Sequence, residues 1–91
     1  MLVLPDRTVE WPVSTLVEVT EAALAEVTQQ GSVEILVLGT GARMAPVPGA
    51  LRVALKRAGI VVEPMDTGAA CRTYNVLVAE DRRVAAALIK P

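Results

Sequence analysis

The chain has 91 residues, of which 53% are hydrophobic and 21% are charged, and its formal net charge is −1. A chain of this length predicts a single domain, residues 1–91, that buries about 65% of the surface of the unfolded chain. Histidine is absent and Cys71 is the only cysteine, which excludes an internal disulfide, a His/Cys zinc site and a nucleophile–histidine pair. No acidic residues have the spacing of a carboxylate metal site, so we expect neither a metal nor a cofactor.

Hydropathy and charge indicate location and partners. No apolar run approaches the roughly 20 residues of a membrane span, and Met1–Asp6 lacks the features of a signal peptide, so we expect a cytoplasmic protein without direct membrane insertion. Residues 1–40 carry six acids and one base, whereas residues 41–91 carry eight bases and four acids. These charges either are scattered over a solvated surface or form a dipolar surface that orients a partner. Trp11 and Tyr74 are the only aromatic residues and no basic stripe appears, so nucleic acid is not an expected partner.

The first thirty residues predict a β-hairpin followed by helices. Extended runs at residues 2–4 and 8–11 flank a turn at Pro5–Arg7, and Pro12 ends the hairpin. Two helical segments follow, each with its own boundary residues: Thr15 and Glu18 as a capping box over a short turn, and Thr20 as the cap of a helix over residues 21–30 that Gly31 ends.

The middle of the chain predicts a strand, a helix and a second strand. Residues 33–38 form an apolar run of β-branched and aliphatic type that Gly39-Thr40-Gly41 ends. Pro48 suits the first position of a helix that Gly59 closes. The apolar positions of this helix repeat at i, i+3, i+4 and i+7: Leu51, Ala54, Leu55 and Ala58. Ile60–Glu63 is the next strand, and Pro64 ends it.

The last third predicts a helix and a final buried strand. Asp66 or Thr67 caps the helix, and one of its faces carries Ala70, Tyr74 and Leu77. Residues 75–78 fit a strand equally well by propensity. Residues 84–89 are the final strand. From residue 33 onward the order is therefore β-α-β-α-β, which predicts parallel strands joined by right-handed crossovers.

This topology places two turns at one edge of the sheet. Gly39–Gly41 and Met65–Gly68 both follow the carboxyl ends of parallel strands, and ligand crevices in open α/β sheets lie at that edge. Gly39-Thr40-Gly41 partly matches a dinucleotide loop, with Glu63 in the place of a ribose-binding acid. However, the third glycine is replaced by Met44, and no helix begins directly after the turn. The structural interpretation is that the glycines provide unusual dihedral angles and close approach.

Three residues near this edge have a functional and a structural interpretation. Asp66-Thr67-Gly68 matches the triplet of aspartic proteases, which a homodimer would pair, but a helix cap explains the aspartate more simply. Cys71 beside Arg72 at a helix start favours a thiolate, whereas a cysteine flanked by alanines is more often an inert core residue. Asn75 either hydrogen-bonds the Gly39–Gly41 turn or contacts a ligand.

Three segments of the chain, in this order, resemble one known family. They are Ile35–Gly41, Gly59–Thr67 and Ala69–Asn75, and they are similar to the small α/β domain of mitochondrial complex I assembly factor three and its bacterial and archaeal relatives. The resemblance covers residues 33–89 and extends more weakly to Leu4–Asp6 and Trp11–Val13. It implies a three-layer αβα fold with a mixed sheet.

The resemblance also implies a role and a departure. The mitochondrial relative is not an enzyme; it helps to assemble the respiratory NADH dehydrogenase together with another assembly factor at the inner membrane. Relatives usually have a further glycine-rich extended segment before the stretch that matches Leu2–Pro5, and this chain starts without it. If that segment pairs in the sheet, Leu2–Leu4 is left as a bare edge here, which favours a homodimer.

Three hypotheses follow. The first is a non-enzymatic protein-interaction or assembly module with protein partners. The second is a binding domain for a small anion or nucleotide, whose crevice is formed by nine residues: Gly39, Thr40, Gly41, Arg43, Asp66, Thr67, Cys71, Arg72 and Asn75. The third is a thiol enzyme that uses Cys71.

Overall fold

The computed structural model describes residues 1–91, which form five strands and three α-helices. The strands are β1 (Leu2–Val3), β2 (Thr8–Val9), β3 (Ile35–Gly39), β4 (Val61–Met65) and β5 (Val84–Leu88). The helices are α1 (Ala25–Gln30), α2 (Gly49–Arg57) and α3 (Thr67–Ala79), and 3-10 turns occupy Leu16–Glu18 and Ala22–Leu24. Residues 75–78 are therefore helical, and strand propensity is outweighed by their place in a capped helix that packs on the sheet.

The strands form one mixed sheet in the order β2-β1-β5-β3-β4. β3 pairs in parallel with both β4 and β5, so that Leu36 lies opposite Val62 on one side and Ala85 on the other. β1 pairs antiparallel with β5 and β2, with Leu2 opposite both Ala87 and Val9. The predicted parallel β-α-β-α-β core and N-terminal hairpin are confirmed. Residues 2–4 are not a bare edge, because β1 is paired on both sides.

Helices cover both faces of the sheet, which gives three layers. Leu36 and Leu38 of β3 point to the face that α1 and α2 cover, whereas Val37 between them points to the face that α3 covers. All three side chains are fully buried. A strand buried on both faces reads as a continuous apolar run, which is why this segment stands out in the sequence.

The N-terminal hairpin is fixed to the helical layer through Trp11. Its indole N–H donates a hydrogen bond to the carbonyl oxygen of Ala23 at 2.8 Å, and the residue is 9% exposed. The Thr20 hydroxyl accepts a hydrogen bond from the N–H of Ala23 at 3.1 Å, as predicted for a cap, although the first turn is 3-10 rather than α. Gly31 ends α1 with φ of 74°, a left-handed conformation that glycine adopts without strain.

Two prolines occupy positions that differ from those predicted. Pro48 has an extended ψ of 135° and directly precedes α2, so it is the cap and not the first helical residue. Pro64 lies inside β4 and does not end it. The N–H of Val61 and the carbonyl of Met65 both form hydrogen bonds with β3. Because these directions alternate along a strand, the backbone nitrogen and carbonyl of residue 64 point away from β3. Because β4 is an edge strand, the missing N–H of Pro64 costs no ladder hydrogen bond.

Two carboxylates hold turns in place. The Glu18 carboxylate accepts hydrogen bonds from the backbone N–H groups of Ser14 and Thr15, both at 3.1 Å, which confirms the predicted capping box. These bonds lower the pKa of Glu18, the backbone bond from Ser14 most of all. The Glu34 carboxylate accepts from Arg82 Nε at 3.2 Å, and this bond is the main reason that the pKa of Glu34 is also lowered.

We predict that the free energy of unfolding depends less on pH in Glu34→Gln than in the parent chain when the pH is acidic. A lowered pKa in the folded state means that the unfolded chain binds more protons, so the stabilisation is complete above the unfolded pKa near 4.5 and is lost as the pH falls below it. Melting temperatures between about pH 6 and about pH 3 should fall less steeply in Glu34→Gln than in the parent chain.

Glu63→Gln is the matched control, since Glu63 is exposed and its carboxylate makes no hydrogen bond or ion pair. It should retain the parent slope. An equal slope in the parent chain and in Glu34→Gln would contradict the assignment.

Candidate functional site

The two predicted turns meet at the edge of the sheet and are joined by backbone hydrogen bonds. The N–H of Thr40 donates to the carbonyl of Met65 at 2.8 Å, and the N–H of Thr67 donates to the carbonyl of Gly41 at 2.9 Å. These bonds continue the β3–β4 pairing past the end of both strands. The turns are therefore in direct contact with each other.

The hydroxyl of Thr67 connects three strand ends. It donates a hydrogen bond to the carbonyl of Ile89, just after β5, at 2.5 Å. It accepts a hydrogen bond from the N–H of Gly41, just after β3, at 3.0 Å. Thr67 itself follows β4 and is 8% exposed, so a buried hydroxyl holds the ends of β3, β4 and β5 together.

The hydroxyl of Thr40 organises the loop that follows β3. It accepts a hydrogen bond from the N–H of Ala45 at 3.1 Å, and it lies 2.6 Å from the carbonyl oxygen of Arg43 and 3.1 Å from that of Met65. Both threonine hydroxyls at this edge are thus engaged with the protein's own backbone.

The glycines of the first turn are explained by close approach and dihedral angle. A Cβ on Gly39 would lie 2.9 Å from Oγ1 of Thr67 and 3.0 Å from its Cα, closer than such contacts normally come. Gly41 has φ of 106°, which side chains other than glycine rarely adopt. α2 begins only at Gly49, so no helix N-terminus adjoins the turn as a dinucleotide loop requires.

Of the remaining predicted site residues, one caps a helix and four are exposed. The Asp66 side chain caps α3 and accepts a hydrogen bond from the N–H of Ala69 at 2.9 Å. Arg43 is exposed in the loop after Gly41, and three further residues are exposed along α3: Cys71, Arg72 and Asn75. The structure therefore brings Gly39, Thr40, Gly41, Asp66 and Thr67 together and leaves the other four facing solvent.

The orientation of α3 is incompatible with the structural interpretation of Cys71 and of Asn75. Cys71 was expected to be an inert core residue, but it is exposed, and the buried position is the neighbouring Ala70, which packs against Val37. Asn75 makes no hydrogen bond to the Gly39–Gly41 turn, because it lies about two helical turns beyond Thr67 and faces solvent.

A cavity that the sequence did not indicate lies beside the N-terminal hairpin. It has a volume of about 590 Å³ and is lined by seven residues: Met1, Thr8, Val9, Glu10, Trp11, Pro12 and Lys90. Trp11-Pro12 is the one feature of the sequence that could have indicated this cavity, because there an aromatic residue is followed by a proline, which cannot continue into a helix, at the end of an exposed strand.

No helix combines the length and apolar character that a bilayer crossing requires.

The sequence matches a protein family and several curated proteins. The model of the protein family of unknown function DUF498/DUF598 matches residues 1–89. NADH dehydrogenase [ubiquinone] 1 alpha subcomplex assembly factor 3 of Danio rerio is 40% identical over 90 residues, which are 98% of this chain and 52% of that protein. An uncharacterised protein of Rhodobacter capsulatus is 49% identical over 59 residues, 65% of this chain and 48% of that protein. The chain thus spans about half the length of these relatives.

A solved structure has the same fold. The solution structure of a Rhodopseudomonas palustris protein superposes with a TM-score of 0.90 at 40% sequence identity, covering 99% of this chain and 67% of that one. The α/β architecture described above is therefore shared with a relative whose structure was determined experimentally.

We predict that Thr67→Val lowers the free energy of unfolding by at least about 2 kcal/mol. The valine keeps the shape of the side chain but leaves the N–H of Gly41 and the carbonyl of Ile89 without partners, at about 1–3 kcal/mol for each buried group. Urea unfolding measures the difference. Thr67→Ser, which retains the hydroxyl, is the control and should lose clearly less; equal losses would show that the hydroxyl does not hold the strand ends.

We predict that Gly39→Ala is destabilising, whereas Gly49→Ala is not. The added methyl group at position 39 meets the backbone of Thr67, and overpacking of this kind costs about 1–3 kcal/mol. At position 49, the first residue of α2, a methyl group meets no atom within 4 Å and improves helix propensity. Thermal melts of both variants test this, and a melting temperature for Gly39→Ala equal to that of the parent would contradict it.

Proposed function

Since the chain belongs to the DUF498/DUF598 family, whose model matches residues 1–89, we propose that it is a non-enzymatic module that assists the assembly of a respiratory NADH dehydrogenase. The observation that carries the proposal is the 40% identity to complex I assembly factor 3 across 98% of this chain. The relatives from Danio rerio and Homo sapiens are both named as assembly factors.

The arrangement at the carboxyl ends of the strands supports a structural use of this edge. The hydroxyls of Thr40 and Thr67 are both engaged with backbone groups, and Asp66 is engaged as a helix cap. The groups that would contact a substrate in a crevice instead close the edge of the sheet. This favours a function exercised on an outer surface.

We infer that the partner-binding surface is the outer side of α3. Only one of the thirteen residues of this helix, Arg72, is charged, although the helix is the sole cover of its face of the sheet. Val76 is 56% exposed, and Val78, on the other flank of the exposed side, is 47% exposed. A surface with exposed valines and few charges is typical of the centre of a protein–protein interface, where charged residues are depleted. Cys71, Arg72 and Asn75 then serve as contacts to a protein.

The alternative proposal is that Arg43 and Arg72 bind a small anion at the edge. Neither guanidinium forms an ion pair within the chain, and both belong to segments that adjoin the two turns. Because exposed arginines bind anions weakly without further donors, this alternative is less well supported.

We predict that Val76→Lys strongly weakens the capture of partner proteins while the fold is retained. The tagged chain, expressed in a bacterium that makes complex I, should co-purify with subunits or assembly proteins of that complex. A lysine at the centre of the contact must be desolvated without a partner, so recovery should fall at least about tenfold.

Val53→Lys is the matched control, since Val53 is a 51% exposed valine on α2, on the opposite side of the sheet. It should co-purify like the parent. Failure of the parent chain to retrieve any such protein would refute the assembly role. Amide shifts confined to residues 39–43 and 66–72 on titration with nucleotides would instead support the anion site.

A further inference from the structure

One row of exposed residues on α3 carries opposite charges at its two ends. Arg72, Val76 and Glu80 are spaced four residues apart, so they lie along one side of the helix at intervals of about 6 Å. All three residues are exposed, and Val76 at the centre is 56% exposed. Neither the Arg72 guanidinium nor the Glu80 carboxylate forms an ion pair within the chain. The row therefore runs from a positive charge through an apolar residue to a negative charge.

The acidic end of this row is unfavourable for α3 itself. Glu80 caps the C-terminal end of the helix and Asp81 follows it, although the helix macrodipole disfavours negative charge at this end. No basic residue lies in the last turn of α3, and Arg82 and Arg83 pair with Glu34 instead. The chain thus supplies no cation that compensates these acids, and a cation from outside the chain would do so.

We propose that this row binds the same row of a second copy of the chain, with the two α3 helices antiparallel about a two-fold axis at Val76. An antiparallel copy reverses the order of the charges, so each Arg72 meets Glu80 of the other copy and Val76 meets Val76. A parallel copy would instead place like charges side by side. The row is complementary to itself in the antiparallel orientation only.

The geometry of helix packing suits this contact. Rows of residues spaced by four are inclined to the helix axis, and two such rows lie along each other when the helices cross at about 50°, the commonest packing angle in globular proteins. The antiparallel orientation also brings the positive N-terminal end of one α3 toward the negative C-terminal end of the other. Because one helix of 13 residues offers a small contact, and interfaces below roughly 1,000 Å² are weak, the dimer should be reversible and dependent on concentration.

The pairing deepens the function proposed above and rests on it for its consequence. The outer side of α3 is the surface assigned there to partner proteins, so a second copy and a partner protein compete for it. The homodimer keeps Val76 covered until a partner that makes more contacts displaces the second copy.

The test reverses the charges of the row one at a time. In Arg72→Glu the row carries two acids, and in Glu80→Arg it carries two bases, so an antiparallel pair of either variant places like charges together at both ends. Sedimentation equilibrium of the 91-residue chain up to about 1 mM should show a monomer–dimer equilibrium for the parent. Each single variant should associate at least about tenfold more weakly, because two attractive charge pairs become two repulsive ones.

Arg57→Glu is the matched control. It changes the net charge of the chain as Arg72→Glu does, but it lies in the last turn of α2, on the opposite side of the sheet. It should therefore associate like the parent.

Two rescue experiments separate the charge pairing from any structural effect of the substitutions. The double variant Arg72→Glu/Glu80→Arg carries a reversed row that is again complementary to itself, so it should regain the association of the parent. An equimolar mixture of Arg72→Glu and Glu80→Arg should form a heterodimer, because each variant supplies the charges that the other lacks. Thermal melts establish that every variant is folded.

Three outcomes would overturn the proposal: a parent chain that is monomeric at about 1 mM, equal association in the parent and the single variants, or a mixture that associates no better than its components. These measurements use the purified chain alone, so their failure leaves the co-purification of partner proteins unaffected. A chain that dimerises but retrieves no subunit or assembly protein of complex I would refute the assembly role and not the pairing.

Discussion

The hydrogen bonds of the Thr67 hydroxyl are the constraint on which this edge of the sheet depends. By bonding the backbone after β3 and the backbone after β5 from a position after β4, one buried hydroxyl sets where three parallel strands end. Gly39 must lack a side chain because Thr67 lies against it. In open α/β sheets the same edge usually opens into a ligand crevice. Here the hydroxyls of Thr40 and Thr67 bond the chain's own backbone at this edge.

Because the polar groups of this edge are engaged within the chain, the outer surfaces of the three layers are the better candidates for binding a partner. α3 covers one face of the sheet alone, and its outer side is poor in charge. The opposite layer carries Arg52, Lys56 and Arg57 on α2, beside the exposed Val53. A protein whose two helical layers differ in charge, and whose family includes complex I assembly factors, suits a role in which the less charged face binds a partner.

The elements that the sequence predicts well are those specified by neighbouring residues. The apolar run of β3, the cap at Asp66 and the left-handed stop at Gly31 depend on local chemistry alone. One error concerns the relation between distant parts of the chain. Pro64 was predicted to end β4 because local rules do not reveal that β4 is an edge strand. The error at Cys71 is of another kind: the predicted face of Ala70, Tyr74 and Leu77 does pack on the sheet and turns position 71 outward, but the alanines that flank Cys71 suggested a core position.

The pairing of β1 with β5 has a consequence for synthesis on the ribosome. Leu2 lies opposite Ala87, so β1 waits for β5, which is synthesised 85 residues later, before the middle of the sheet can form. Until then, Leu2, Leu4 and Trp11 have no complete core to enter, and contacts this distant in sequence form slowly. During translation the nascent hairpin is therefore an exposed apolar segment, open to chaperones or to neighbouring chains, until β5 has left the exit tunnel.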